Sequence, residues 1–295
     1  MMIRYQNSLS RKSFVILNHF MTILICLICL LPLIYVLAIS LSSKEYIIAG
    51  KVTLFPKGFT LSNYQYVMKD AQFYTSFGVS VYRTLLAVVV QMVMTICAAY
   101  PLSISKYKFR QRPLYAWYFI ITIIFNGGMI PTYLAVSNTG LLNTIWALII
   151  PEAVPVFNII LLSNYMKTLP DALSESASLD GAGHIRIMLQ IILPLCIPSL
   201  ATLTLFVMVG AWNEWFAGML YINNPNLFPL QTYLRALIVE VDINQMSDLN
   251  SMANLVASVG ADTAKIFLAM IPILCVYPFL QKYFVNGLVA GSVKE

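Results

Sequence analysis

Charge is what this chain has least of. Lysine, arginine, aspartate and glutamate make up 10% of its 295 residues, where a soluble domain carries about 25%. Apolar residues reach 59%, against about 45–50% in an ordinary globular protein. That balance excludes a soluble fold. It predicts an all-α integral membrane protein, because apolar runs of about 20 residues cross a bilayer as helices. Histidine is nearly absent, with His19 and His184 the only two. His19 falls inside an apolar run, where a structural role near the interface is the plainer reading. No Ser-His-acid set or metal cluster can be assembled from so little. The five cysteines, Cys26, Cys29, Cys97, Cys196 and Cys275, are odd in number and all lie in apolar segments, so no disulfide framework is expected. Cys26-x-x-Cys29 has the spacing of a redox or metal pair, but in a lipid-embedded helix the two read as small apolar fillers.

Also missing is a glycine-rich loop ending in Gly-Lys-Ser/Thr, the arrangement that cradles phosphates. Gly181-Ala-Gly183 is too short for a dinucleotide fingerprint. The chain is therefore expected to be no enzyme, with no catalytic residues, no metal and no cofactor of its own. Its formal net charge of +6 follows from topology, described next, and gives no reason to invoke nucleic acid.

Six apolar spans can be read along the chain. Residues 1–13 are polar and carry Arg4, Arg11 and Lys12. The uncharged run that follows, residues 14–41, is longer than the apolar core of about 7–15 residues in a signal peptide, so it reads as an uncleaved first helix. A polar interlude at 42–73 precedes a second span at 74–104. Arg83 is placed near the outer end of that span, where a long side chain can snorkel to the headgroups. The third span, 113–136, is interrupted by Asn126-Gly127-Gly128 and Pro131. A short uncharged turn at 137–143 leads to a fourth span at 144–165. The fifth covers 191–221 and the sixth 263–284, separated by a second polar loop at 222–262. Neither an internal repeat nor the paired broken helices of an inverted-repeat carrier are evident.

The N-terminus, the 105–112 loop, the 167–190 stretch and the C-terminal end hold eleven of the eighteen Lys and Arg residues. The 42–73 and 222–262 loops hold five between them. By the positive-inside rule both termini are cytoplasmic and those two loops external, in a multi-pass protein of the cell membrane.

The 167–190 stretch is a polar island between two apolar segments. Lys167-Thr-Leu-Pro170 closes the fourth span, and Asp171 is expected to cap a short helix. Gly181 permits a sharp turn, and a second short helix leads to Leu193-Pro194. The result is a helix–turn–helix knob with small residues at its tip and with Glu175 and Asp180 available for charge-assisted contacts. An ordinary solvated loop is the plainer alternative.

Glu175-Ser-Ala-Ser-Leu-Asp-Gly-Ala182, followed by Ile191-x-Leu-Pro194 and Pro198, resembles the EAA loop of ABC importer membrane subunits. Ser176 stands where that family usually has its first alanine, and Met188 where an aromatic residue is common. Leu54-Phe-Pro-Lys-Gly-Phe-Thr60, Asn126-Gly-Gly-Met-Ile-Pro-Thr-Tyr133, Gly140-Leu-Leu-Asn-Thr144, Trp212-Asn-Glu-Trp215 and the C-terminal Tyr277-Pro-Phe-Leu-Gln-Lys-Tyr-Phe284 with Gly291-Ser-Val-Lys294 are similar to the carbohydrate-uptake permeases, nearest the LplC/YtcP-like branch and more distantly MalG.

This resemblance implies a type I importer (MetI-like) permease fold. Residues 1–13 would form a cytoplasmic N-terminus and 14–295 the permease domain. It also implies the partners: a homologous second permease subunit, two ATP-binding subunits that hold ATP and Mg, and an extracellular solute-binding lipoprotein, in a Gram-positive cell. The cargo would be a carbohydrate, in particular an oligosaccharide.

The residues that would couple to the ATPase are Glu175, Ser176, Ala177, Asp180, Gly181, Ala182, Ile191, Leu193 and Pro194. Polar residues inside the spans are costly and so mark a path or an interface. Here these are Glu152, Asn158, Trp212, Asn213 and Glu214, which offer hydrogen-bonding groups beside an aromatic face. Joining of helices is the plainer reading for Glu152 and Glu214. Glu240, Asp242 and Asp248 fall in the loop that would meet the binding protein. Two other readings are an ABC permease for a different solute, such as amino acids or phosphate, and an ion-driven carrier that works alone.

Overall fold

Several helices in this chain break near proline or glycine, although Pro32 and Pro101 are carried inside unbroken helices. The computed structural model describes residues 9–105, 107, 109–244 and 259–278. Among the described residues, three helices are long and apolar enough to cross a membrane. They are α1 (Leu9–Ser40), of which Arg11–Ser40 is the apolar part, α4 (Ala71–Ser103) and α14 (Val259–Pro278). At about 1.5 Å per residue, the 33 residues of α4 reach well beyond a hydrocarbon core of about 30 Å.

The other three expected spans are bent pairs rather than single rods. Helix α5 (Arg112–Ile124) stops before Asn126-Gly127-Gly128, and α6 (Met129–Asn138) leaves at 113° to it. Gly128 takes a φ of +83° there, a backbone region open to glycine at little cost. Two short 3-10 turns, Ile145–Leu148 and Ile150–Glu152, meet α7 (Val156–Met166) at 47°, with Pro155 at the junction. The segment His184–Leu195 meets α11 (Ile197–Asn213) at 83° around Cys196. Counted as one crossing each, these pairs bring the total to six.

Two compact units divide the chain. In the first, Met1–Asp70 with Leu237–Met270, the 42–73 interlude folds into two short helices, α2 (Lys44–Ile48) and α3 (Ser62–Lys69). Asn63 is buried and its Nδ2 donates to the carbonyls of Ser40 (2.9 Å) and Ser42 (3.1 Å), which closes the end of α1. Lys265 on α14 forms ion pairs with Asp70 (2.8 Å) and Asp262 (3.4 Å).

The second unit, Ala71–Ala236 with Ile271–Glu295, is built on α4, which packs along both α7 and α11. Ala99, Leu102, Ile159, Leu162 and Leu203 from these three helices form its core with Cys196. After α11 the chain continues through α12 (Phe216–Tyr221) into α13 (Leu230–Asn244). The stretch expected as a loop at 222–262 is therefore largely helical where it is described. Its length and polarity hid the period, since α13 mixes Arg235, Glu240 and Asp242 with its apolar positions.

Candidate functional site

The polar island is a knob of two helices. Helix α8 (Asp171–Leu179) and helix α9 (His184–Ile187) are joined by Asp180–Gly183. Gly181 has a φ of +81°. Its amide donates to Ser178 O at 3.1 Å, and the amide of Ala182 donates to Ala177 O at 2.9 Å. That pair of bonds is the Schellman closure of a helix C-terminus, which usually brings an apolar contact between the same two residues. Ala177 and Ala182 are both half-buried and packed against the core. The cap expected from Asp171 is not formed. Pro170 occupies the N-cap with no side-chain bond, and Asp171 is the first helical residue, where its charge still faces the positive end of the helix dipole.

Glu175, Ser176, Asp180 and Gly181 are exposed at the tip of the knob, and Leu179 is 89% exposed there. Ala177, Ala182, Ile191 and Leu193 are half-buried, and Pro194 is exposed. The residues that seat the knob are Ile187 and Ile192, which are buried in the core cluster. Sequence reasoning passed over both. Met188–Ile192 is a π-helical turn, so a residue five positions along takes the face that an α-helical period assigns to position four.

From His184 a path of helix runs through that turn, α10 (Leu193–Leu195) and the bend into α11, and ends at Asn213. There Glu214 and Trp215 interrupt the helix before α12. A cavity of about 640 Å³ opens beside this break and is as polar as it is apolar. Glu152, Glu214, Asn126 and Thr132 line it together with the aromatic rings of Tyr221 and Phe216. One oxygen of Glu214 accepts the Ala217 amide at 2.7 Å, so this carboxylate also holds the start of α12.

Of the five path candidates, the structure brings Glu152 and Glu214 to one cavity. Asn158 is buried within α7, and Asn213 is exposed at the end of α11. Trp212 is buried against α4, edge-on to Phe77 at 5.8 Å, and supplies no aromatic face to the cavity. Tyr221, stacked on Tyr133 at 6.3 Å, does. Glu240 and Asp242 belong to α13, while Asp248 lies outside the described residues. The same holds for Gly291–Lys294 and Lys282.

Arg83 is the residue that sequence reasoning misplaced. It does not snorkel; it is 1% exposed and sits inside the second unit. Its guanidinium donates to Ala211 O (2.7 Å), Leu148 O (3.3 Å) and, at 3.5 Å, Glu214 O. These carbonyls belong to the ends of the first 3-10 turn and of α11, where a helix leaves acceptors without intrahelical donors. In a bilayer such groups must find partners within the protein, and a cation is favoured at the negative end of a helix. Glu152 and Glu214 add favourable charge nearby. The signal was an arginine inside an otherwise apolar run, since an ionisable residue within a span almost always faces the bundle interior.

An all-helical membrane fold of broken spans, with a polar knob at one end and a polar cavity at an interrupted helix, defines a translocation subunit. Residues 75–289 match the family of binding-protein-dependent transport system inner membrane components, and the chain belongs to that family. It is thus a membrane transporter permease subunit and no enzyme. Protein LplC of Bacillus subtilis is 42% identical over 268 residues, 90% of each chain. The polygalacturonan/rhamnogalacturonan transport system permease protein YtcP of the same organism is 37% identical over 289 residues, 97% of this chain and all of that one. The crystal structure of a bacterial ABC transporter involved in the import of the acidic polysaccharide alginate contains a similar chain. The TM-score is 0.85 and the identity 32%, covering 95% of this chain and 99% of that one.

Proposed function

We propose that this chain forms half of the membrane pathway of an ATP-driven carbohydrate importer, with an oligosaccharide as cargo. A homologous permease supplies the other half, two subunits hydrolyse MgATP, and an external binding protein delivers the sugar. The observation that carries this reading is continuity. The knob and the cavity wall at Glu214 are the two ends of one helical path, from His184 through the π turn and α11. Displacement of the knob by an ATPase is thereby passed to the interruption at Glu214-Trp215. ATP supplies the bias, since a cargo shifts the equilibrium only by its difference in affinity for the two states.

A cavity of this size suits a small ligand. Its carboxylates, amide and hydroxyl suit sugar hydroxyls, and Tyr221 and Phe216 suit the apolar faces of pyranose rings. Relatives that handle polygalacturonan, rhamnogalacturonan and alginate support the carbohydrate class. On the knob, Glu175, Ser176, Asp180 and Gly181 face the ATPase, and Ala177, Ala182, Ile191, Leu193 and Pro194 form its base. Glu240, Asp242 and Asp248 are assigned to the side that meets the binding protein.

Copurification of the full-length chain from native membranes, followed by mass spectrometry, tests this reading. Leu179 is so exposed that Leu179→Asp disturbs little of the chain's own packing. Wild type is expected to retain an ATPase and a second permease. L179D is expected to lose the ATPase and keep the permease. A wild-type chain that comes down alone and still moves solute in vesicles would overturn the proposal in favour of an ion-driven carrier.

A further inference from the structure

A second cleft, of about 260 Å³, lies beneath the knob, where α4 and α7 end and α5 begins. It is lined by Arg112, Lys167 and His184, together with the hydroxyls of Ser103 and Ser174; Asp171 is its one carboxylate among the lining residues. The two cations are not neutralised there. Lys167 Nζ donates to the neutral amide of Asn164 at 3.0 Å, and among the described residues Asp171 forms no ion pair with either cation. Burial, and next to it the charge of Arg112, push the Lys167 ammonium below its ordinary pKa.

An apolar groove of about 320 Å³ adjoins this cleft. Tyr100, Ile104 and His184 line both spaces, and Phe109, Ile185 and Met188 extend the groove away from the cations. The contact of Tyr100 with His184, their rings edge-on at 6.5 Å, forms the ridge between the two. A soluble anion would use the cleft and leave the groove empty. A phospholipid uses both, because it joins a phosphate to an acyl chain and the two spaces share Tyr100, Ile104 and His184 as a common wall. The location agrees with this, since apolar helices give way to polar chain at these ends, as they do at the headgroup level.

The geometry points to a binding site for an anionic membrane phospholipid, with its phosphate between Arg112 and Lys167 and an acyl chain in the groove. Arg112 offers its fork of donors to the phosphate oxygens and Lys167 a point charge. The Ser174 hydroxyl at the rim adds a polar group, while that of Ser103 is donated to Tyr100 O at 2.7 Å.

The test is native mass spectrometry of the full-length chain in mild detergent, titrated with phosphatidylglycerol or with phosphatidylcholine of the same acyl chains. Wild type is expected to favour phosphatidylglycerol. Arg112→Gln with Lys167→Gln should lower that preference about thirtyfold, the value for two basic groups near an anionic headgroup. R112K and K167R should retain most of it, and Lys51→Gln, an exposed position in the 42–73 segment, should change nothing. A thermal melt of each variant shows whether it is folded; if the double variant is not, Arg112→Gln and Lys167→Gln made singly should each lower the preference about fivefold. Equal binding of the two lipids overturns the proposal, as does an unchanged preference in the folded double variant. Displacement of phosphatidylglycerol by inorganic phosphate at matched concentration also overturns it, since the occupant would then be a soluble anion.

Discussion

Arg83, Glu214 and Asn143 each settle backbone groups that a broken helix would leave unpaired. Asn143 adopts a φ of +60°, which asparagine tolerates better than most residues. Its side-chain oxygen accepts the amides of Asn223 (3.1 Å) and Asn224 (2.9 Å), so the turn after α6 braces the chain beyond α12. Glu214 does the same for the start of α12. Arg83 serves two helix ends at once, and that sets up a sharp expectation. A lysine keeps the charge but has a single ammonium and no planar fork, so it cannot reach Leu148 O and Ala211 O together. Arg83→Lys should therefore lower stability by about 1–3 kcal/mol, the cost of leaving a buried acceptor unsatisfied. The drop would appear as an earlier thermal melt of the purified protein in detergent. A melt matching wild type would mean that water or lipid satisfies these carbonyls equally well.

At the scale of elements, the knob and the long spans were legible in the sequence, and the breaks were legible only in part. Composition alone marks α1, α4 and α14, because a long uncharged run has no other stable form in a bilayer. Gly181 announced the turn of the knob, since a left-handed residue after a helix is most often glycine. The break at Cys196 is flanked by Pro194 and Pro198 and the one at Glu214-Trp215 follows the polar Asn213, but the angles depend on contacts with α4 that no local pattern records. For the same reason Ile191 stood out from the sequence while Ile192 does the packing. The turn itself can be tested apart from its surroundings. A Cβ added at Gly181 meets no atom within 4 Å, so Gly181→Ala changes only backbone preference, by about 1–2 kcal/mol. In the assembled transporter it should weaken substrate-stimulated ATP hydrolysis while basal hydrolysis stays near wild type. Gly181→Asn, better suited to the left-handed region, should lose less. Equal losses in the two variants would show that a side chain at the tip, and not the turn, is at fault.

For the whole molecule, the remaining question is which face of the membrane each end of the bundle occupies. Charge is the relevant quantity, because basic residues are retained on the cytoplasmic side whatever the helices between them do. The broken spans do not alter that count. Counted as one crossing each, the bent pairs give six crossings, an arrangement expected to keep both termini on one side and the knob with Arg110 and Arg112 on that same side. The 42–73 segment, with Lys44, Lys51, Lys57 and Lys69 spread over it, is expected to face outward. Its four lysines are outnumbered by the basic residues on the cytoplasmic side. Single cysteines resolve the matter. Ser176 and Thr53 are both exposed, while the native cysteines are either buried, as Cys196 is, or set within apolar helices. In intact cells a membrane-impermeant maleimide is expected to label Thr53→Cys and to spare Ser176→Cys. In inside-out vesicles the pattern should reverse, with the unsubstituted chain as background. Labelling of Ser176→Cys from outside would place the knob away from ATP, and no coupling to a cytoplasmic ATPase could then pass through it.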